Sequence, residues 1–192
     1  MSKLKLYNVS DDYVDYLKQY DHRVFSSKED DRNKERKYLG VVLNINNCDY
    51  FVPLSSPKES DYKLVDNIKT IRKDIIPIIR IVVKNSKGKD ELKGTLKFSN
   101  MIPVPSIALI NYDVNSEKDE LYKILVLKEI DFINSNSNRD KIIKNAKVIY
   151  NQKVNNWDIG YIKQTVDFKL LEQKSMEYAS LFEVASSIDD VI

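Results

Sequence analysis

Tyr38-Leu39-Gly40-Val41-Val42-Leu43-Asn44-Ile45-Asn46-Asn47-Cys48-Asp49-Tyr50-Phe51-Val52-Pro53-Leu54 is the stretch on which the fold turns. Asn46-Asn47 is a pair that tolerates positive φ, so Tyr38–Ile45 and Cys48–Leu54 are read as the two strands of a hairpin. The second strand runs straight into Ser55-Ser56-Pro57-Lys58. A strand delivers side chains from a rigid support, and Pro57 fixes its own φ and biases Ser56 towards extended geometry. Ser56 is therefore expected to point one way, with a second hydroxyl and a lysine beside it, and that is a place to hold a phosphate. On spacing alone the plainer reading, a strand ending in a Ser-Ser-Pro turn, is the commoner one.

Upstream of the hairpin, Leu4–Val9 alternates as a short strand. Ser10 then caps a helix of Asp11–Tyr20 whose early acids suit its N-terminal dipole and whose buried stripe is Val14 and Leu17 with Tyr13 and Tyr20. Phe25–Lys37 has mixed charge and no apolar period, which predicts a loop, mobile unless a partner orders it. Downstream, Ile78–Lys84 and Glu91–Phe98 form a second hairpin across Asn85–Asp90, and Ile102–Val104 a further short strand. After Asn115 the pattern turns helical. Ser116 caps a helix through about Ile133, polar Asn134–Asn138 breaks the run, and Asp140–Asn155 repeats Ile142, Ile143, Ala146, Ile149 and Tyr150 at helical spacing. Phe168, Leu171, Ser175, Tyr178 and Phe182 mark a last helix, and no internal repeat appears. The class is α+β, a small, strongly bent antiparallel sheet with appended helices. Residues 1–192 are expected to form one domain, with the sheet over about 1–112 and the helices over about 116–184.

Apolar residues make up 42% of the 192 and charged residues 31%, a globular composition without a run long enough to span a membrane. Met1-Ser2-Lys3-Leu4-Lys5 lacks an apolar signal core, so a cytoplasmic location is expected. One cysteine, Cys48, excludes an internal disulfide and reads as a small core residue. The net charge of +2 conceals segregation: from Asp167 onward six acids face two bases, Ile68–Gly94 holds eight bases against three acids, and Arg139–Lys153 five against one. Such runs are solvated surface or a positive face that attracts RNA phosphates.

Inventory excludes several chemistries. His22 is the only histidine, so a two-histidine acid/base pair is impossible and a zinc site of His and Cys is poor; His22 itself reads as a surface residue. Asp11, Asp12 and Asp15 lie in a helix start, and Asp30 and Asp31 in a charge-mixed loop, where solvation is commoner than metal binding. Trp157 and the tyrosines could stack bases, but aromatics in patterned segments are more often core.

Pro53-Leu54-Ser55-Ser56-Pro57-Lys58 resembles the Pro-Leu-Ser/Thr-Ser-Pro-Lys signature of the ToxN/AbiQ family, the endoribonuclease toxins of type III toxin–antitoxin and phage-defence systems. Four other stretches are similar to family segments in the same order: Tyr16-Leu17-Lys18-Gln19-Tyr20-Asp21-His22-Arg23-Val24, Lys37-Tyr38-Leu39-Gly40-Val41-Val42-Leu43, Phe98-Ser99-Asn100-Met101-Ile102-Pro103-Val104 and Phe168-Lys169-Leu170-Leu171-Glu172-Gln173-Lys174. Asp66–Lys93 and the tail after Tyr178 carry no such segment. The resemblance implies an SH3-like barrel of the Kid/MazF/CcdB kind with a helical hairpin near residues 117–155. It also implies catalytic positions at Lys37, Ser55, Ser56 and Lys58, no cofactor, and inhibition by a repeated pseudoknot RNA antitoxin in a closed ring of three proteins and three RNAs. Lys34 and Arg36, with Arg139, Lys144 and Lys147 on the basic helical run, are the expected RNA contacts.

RNA carries its own nucleophile, the 2′-OH. An enzyme need only align the phosphate, remove the 2′ proton, neutralise the phosphorane and protonate the 5′ oxygen. The expected roles follow: Ser56 orients the phosphate or relays a proton, Ser55 donates a supporting hydrogen bond, and Lys37 and Lys58 supply positive charge. Two converging ammoniums would lower one lysine's pKa enough to accept the 2′ proton. Lys37 precedes one strand of the hairpin and Lys58 follows the other, so antiparallel pairing brings them to the same end. The alternative function is a non-catalytic RNA-binding module, or a CcdB-like barrel toxin acting on a protein target.

Overall fold

Asn46 and Asn47 have φ of 51° and 59°, the left-handed pair that a two-residue hairpin turn requires, and they join β2 (Tyr38–Ile45) to β3 (Cys48–Ser55). The computed structural model describes residues 3–26 and 35–189, with 182–189 described by backbone alone. Leu39 pairs with Val52 but Leu43 with Tyr50, so β2 bulges over residues 40–42 and bends. Gly40 sits in that bulge because a Cβ there would run into the Phe51 ring.

The remaining strands are β1 (Lys5–Val9), β4 (Tyr62–Val65), β5 (Ile68–Ile71), β6 (Ile78–Lys84), β7 (Asp90–Lys97), β8 (Ile102–Pro103) and β9 (Leu109–Asn111). The main sheet runs β6-β7-β3-β2-β1-β9, with β8 also on β3. Along one edge of β3, Tyr50 and Phe51 pair with β8, whereas Leu54 and Ser55 pair with β7. One strand thus serves two partners in succession, and the sheet bends there. Among the described residues β6 and β9 do not pair, so the sheet is bent but does not close into a barrel.

The helices are α1 (Asp11–Tyr20), α2 (Glu120–Asn134), α3 (Asn136–Val154), the single turn α4 (Gly160–Lys163) and α5 (Phe168–Asp189). α2 begins later than Ser116 predicts. Asp119 accepts the Tyr122 N–H at 3.0 Å and caps it, while Ser116 lies in a 3-10 turn with its hydroxyl donating to the Asp113 carbonyl at 2.7 Å. The break before α3 is narrower than the polar run suggests. Ser135 alone is extended, and the Asn138 side chain donates to the Phe132 carbonyl at 2.9 Å, satisfying an acceptor at the end of α2. The β4–β5 hairpin is unforeseen. Asp66 and Asn67 form a second positive-φ turn, but Leu64, Val65 and Ile68 point to solvent, so no buried face imprinted an alternating pattern. Among the described residues no helix is long and apolar enough to cross a membrane.

Glu172 of α5 ties these layers together. It is 4% exposed and accepts hydrogen bonds from the Tyr150 hydroxyl at 2.7 Å, the Tyr50 hydroxyl at 2.9 Å, Lys169 Nζ at 3.0 Å and Asn46 Nδ2 at 3.1 Å. Burial raises its pKa, but the bonds from Tyr150, Lys169, Tyr50 and Asn46 outweigh burial and hold it below the usual carboxylate value. A depressed folded pKa contributes stability that is fully present above the unfolded value of about 4.3 and is lost as pH falls through the folded value. Glu172→Gln should therefore lower stability by about 2 kcal/mol at pH 7, as for hydrogen bonds to a charged group, and by less at pH 4. Denaturant melts of both proteins at the two pH values measure this, and an equal gap at both would contradict it.

Candidate active site

The register that forms the hairpin also sorts the site. Beyond the Tyr38–Pro53 pair, the Leu54 N–H donates to the Lys37 carbonyl at 2.9 Å, which sets Lys37 across from Leu54 and Arg36 across from Ser55. Strand alternation sends Lys37, Leu54 and, one step on, Ser56 to one face, and Arg36 and Ser55 to the other. The second half of that division is explicit in the contacts. Arg36 Nη1 donates to Ser55 Oγ and to the Leu54 carbonyl, both at 2.9 Å, Nε donates to the Ser26 carbonyl at 3.0 Å, and the guanidinium lies 4.7 Å from the Phe25 ring centroid.

Arg36 is 2% exposed and Ser55 5%. The expectation that Arg36 contacts RNA meets a guanidinium that is buried and bonded to the protein's own strand end, so its work there is to hold β3. Ser55 accepts a hydrogen bond from it, whereas the sequence suggested that Ser55 donates a supporting hydrogen bond.

Lys37 is buried as well, at 8% exposure. Its Nζ donates to Asn8 Oδ1 at 2.7 Å and lies 4.0 Å from the Tyr112 ring centroid, while Asn8 Nδ2 donates to Glu35 Oε2 at 3.0 Å. The ammonium is aimed by neighbours that the sequence reading did not single out. Asn8 could have been found: Tyr7 pairs with Tyr38, so the next residue of β1 faces Lys37. Tyr112, just past β9, carried no local signal.

Ser56 is exposed, and so is Lys58 two residues on. The Lys58 N–H donates to Asp61 Oδ2 at 3.0 Å, and Asp61, 1% exposed, also meets Arg80 Nη2 at 3.0 Å and Lys97 Nζ at 3.9 Å. The exit from β3 is thereby pinned to β6 and β7. Burial lowers the pKa of Lys97, Asp61 opposes this, and the charges of Arg80 and Lys58 lower it further. The structure brings Ser56 and Lys37 to one face with Lys58 on the exit turn, and it places Ser55 and Arg36 behind them.

Three of the other expected RNA contacts are on α3. Lys144 and Lys147 are exposed on one face of α3, alongside Asp140, Ile143 and Asn151, and Arg139 is half-buried one turn earlier. Lys34 lies outside the described residues. His22 is exposed at the end of α1, and Cys48 is buried, with burial raising its pKa and keeping it a thiol.

Residues 5–176 match the family model described as toxin ToxN of the type III toxin–antitoxin system. The chain is 31% identical over 176 residues to the endoribonuclease AbiQ of Lactococcus lactis subsp. lactis, covering 92% of this chain and 90% of that protein. A solved structure of AbiQ, a lactococcal anti-phage endoribonuclease of a type III toxin–antitoxin system, is similar with a TM-score of 0.75 and 28% identity over 93% of this chain and 99% of that one. A second, reporting selective toxin inhibition by a non-coding RNA pseudoknot, has a TM-score of 0.73 and 28% identity over 93% and 99%.

Proposed function

The chain belongs to the ToxN family of type III toxin–antitoxin toxins, and we propose that it is a sequence-specific endoribonuclease toxin of phage defence whose catalytic groups stand at the end of β3. The observation that carries this is the shared face of Ser56 and Lys37, one hydroxyl exposed at a rigid strand end and one ammonium buried beside Asn8 and Tyr112 next to the facing strand. In the proposed reaction the substrate's 2′-oxygen attacks the adjacent phosphorus and the bond from phosphorus to the 5′ oxygen breaks. The 2′ proton leaves to a protein base, the 5′ oxygen takes up a proton, and the products are a 2′,3′-cyclic phosphate and a 5′-OH. Ser56 orients the phosphate, Lys37 and Lys58 neutralise the phosphorane, and one of these lysines accepts the 2′ proton. Ser55, bound from behind by Arg36, keeps Ser56 in register. The chemistry is metal-independent in this reading, because the groups assigned to the reaction are a hydroxyl and two lysines.

The proposed inhibitor is a cognate RNA antitoxin of pseudoknot repeats, in line with the RNA-inhibited relative of the same fold. It would bind the basic α3 face of Arg139, Lys144 and Lys147 and close a ring of three proteins and three RNAs in the cytoplasm. The bent sheet, with β3 serving both halves, supports kinship with the SH3-like Kid/MazF/CcdB toxins. The test is purified protein mixed with plain RNA in EDTA. Defined fragments are expected; activity that appears only on adding Mg²⁺ would contradict the proposed chemistry, and no fragments under either condition would leave an RNA-binding module or a protein-directed toxin.

A further inference from the structure

The inner face of α2 carries a carboxylate that the reaction above does not use. Val126, Glu129 and Ile133 form the buried stripe of this helix, and Glu129 is 7% exposed between two fully buried aliphatic residues. A carboxylate in that position costs stability unless something nearby uses its charge. What lies beneath it is Gly94. Ser55 pairs with Thr95, so Gly94 stands opposite Ser56, on the face shared with Lys37. A Cβ on Gly94 would sit 2.6 Å from Glu129 Oε1, so the absence of a side chain there is what lets the carboxylate reach the sheet beside Ser56. Tyr112 extends the same cluster. Its hydroxyl pKa is pushed up to about 12, first by burial and then by nearby carboxylates that include Glu117 and Glu129, and its ring lies beneath the Lys37 ammonium. Glu129 on α2 thus meets Gly94 of β7, which stands opposite Ser56, and acts on Tyr112, whose ring lies beneath the Lys37 ammonium.

We propose that Glu129 is a positioning residue of this site, its carboxylate orienting the Ser56 hydroxyl and keeping the Lys37 ammonium protonated. The groups around Lys37 are then Asn8 with Glu35 on one side and Tyr112 with Glu117 and Glu129 on the other, and the proton-accepting role falls to Lys58. This inference rests on the endoribonuclease reading. A neighbouring anion favours the charged form of a lysine, so a neutral replacement lowers the pKa at which Lys37 loses its proton.

The experiment measures kcat, KM and the pH profile of cleavage for wild type, Glu129→Gln and Gly94→Ala, with thermal unfolding of each. Both variants should lose kcat by about a hundredfold, the scale of a reacting group misplaced by an ångström, with little change in KM. The alkaline limb of the Glu129→Gln profile should move to lower pH. Gly94→Ala displaces only the end of a flexible side chain, and its other near neighbour, the Ser55 carbonyl at 3.4 Å, is tolerable, so this variant folds and decides the matter even if Glu129→Gln does not. Wild-type kcat in Gly94→Ala, or an unmoved limb in folded Glu129→Gln, would overturn the proposal. Absence of cleavage by the wild type would instead refute the endoribonuclease reading itself.

Discussion

Ser56→Ala should abolish both RNA cleavage and growth arrest while the protein keeps its fold. The hydroxyl lies one residue past β3, exposed, and Pro57 biases its backbone towards extended geometry. Surface substitutions of this kind change stability by no more than about 0.5 kcal/mol. Losing one preorganised group at a phosphorane typically costs on the order of a hundredfold to a thousandfold in rate. Growth arrest at matched expression and the melting curve of the purified variant read the two halves separately. Growth arrest equal to that of wild type would remove Ser56 from the mechanism. The same replacement at Ser55 is a different experiment, because that hydroxyl is buried against Arg36 and its loss leaves a guanidinium short of an acceptor.

Lys37→Ala and Lys58→Ala should damage catalysis far more than RNA binding. A surface lysine contributes about one released counterion to RNA affinity, so its removal reduces the salt slope by about one. Lys37 is mostly buried, bonded to Asn8 and facing Tyr112 on the Ser56 side of the sheet, so it adds little to docking beyond its contact at the reacting phosphate. Its loss should reduce the cleavage rate by about a hundredfold or more. Lys144→Ala and Arg139→Ala on α3 should show the reverse balance, with weaker RNA binding and near-normal cleavage. A cleavage assay and an RNA titration across salt give both quantities for each variant. Lysine mutants that cleave normally but bind poorly would mark the strand end as a docking patch.

Much of this architecture is legible in the chain because local rules and tertiary structure agree there. The β2–β3 turn needed two residues that accept positive φ, and Asn46-Asn47 are such residues. The pairing that follows places Lys37 at the end from which Ser56 and Lys58 emerge. The strand–helix order through α1 was similarly explicit in apolar spacing, although Tyr20 is exposed rather than part of the buried stripe and the Ser10 side chain makes no cap bond. Signals failed where side chains act at long range or face solvent. The β4–β5 hairpin exposes Leu64 and Ile68, so no period marks it. Arg36 read as an RNA contact in a loop of mixed charge, yet it donates to carbonyls 10 and 18 residues away. Glu129 drew no reading from the sequence, and only the register of β7 against β3, with Gly94 beneath the carboxylate, reveals what it sits on. Ser116 misled because a hydroxyl and a carboxylate three residues apart both make good caps, and the aspartate took the helix.

The central claim is that this strand end makes RNA cut itself, with the 2′-hydroxyl as the nucleophile. It is tested most directly with an RNA oligonucleotide cleaved at one mapped site, compared with the same oligonucleotide carrying a 2′-deoxy nucleotide immediately 5′ to the scissile phosphate. The intact RNA should yield a 2′,3′-cyclic phosphate and a 5′-OH in the presence of EDTA, and the single deoxy substitution should abolish cutting at that phosphate. Continued cleavage of the deoxy substrate, or fragments carrying a 5′-phosphate, would contradict it.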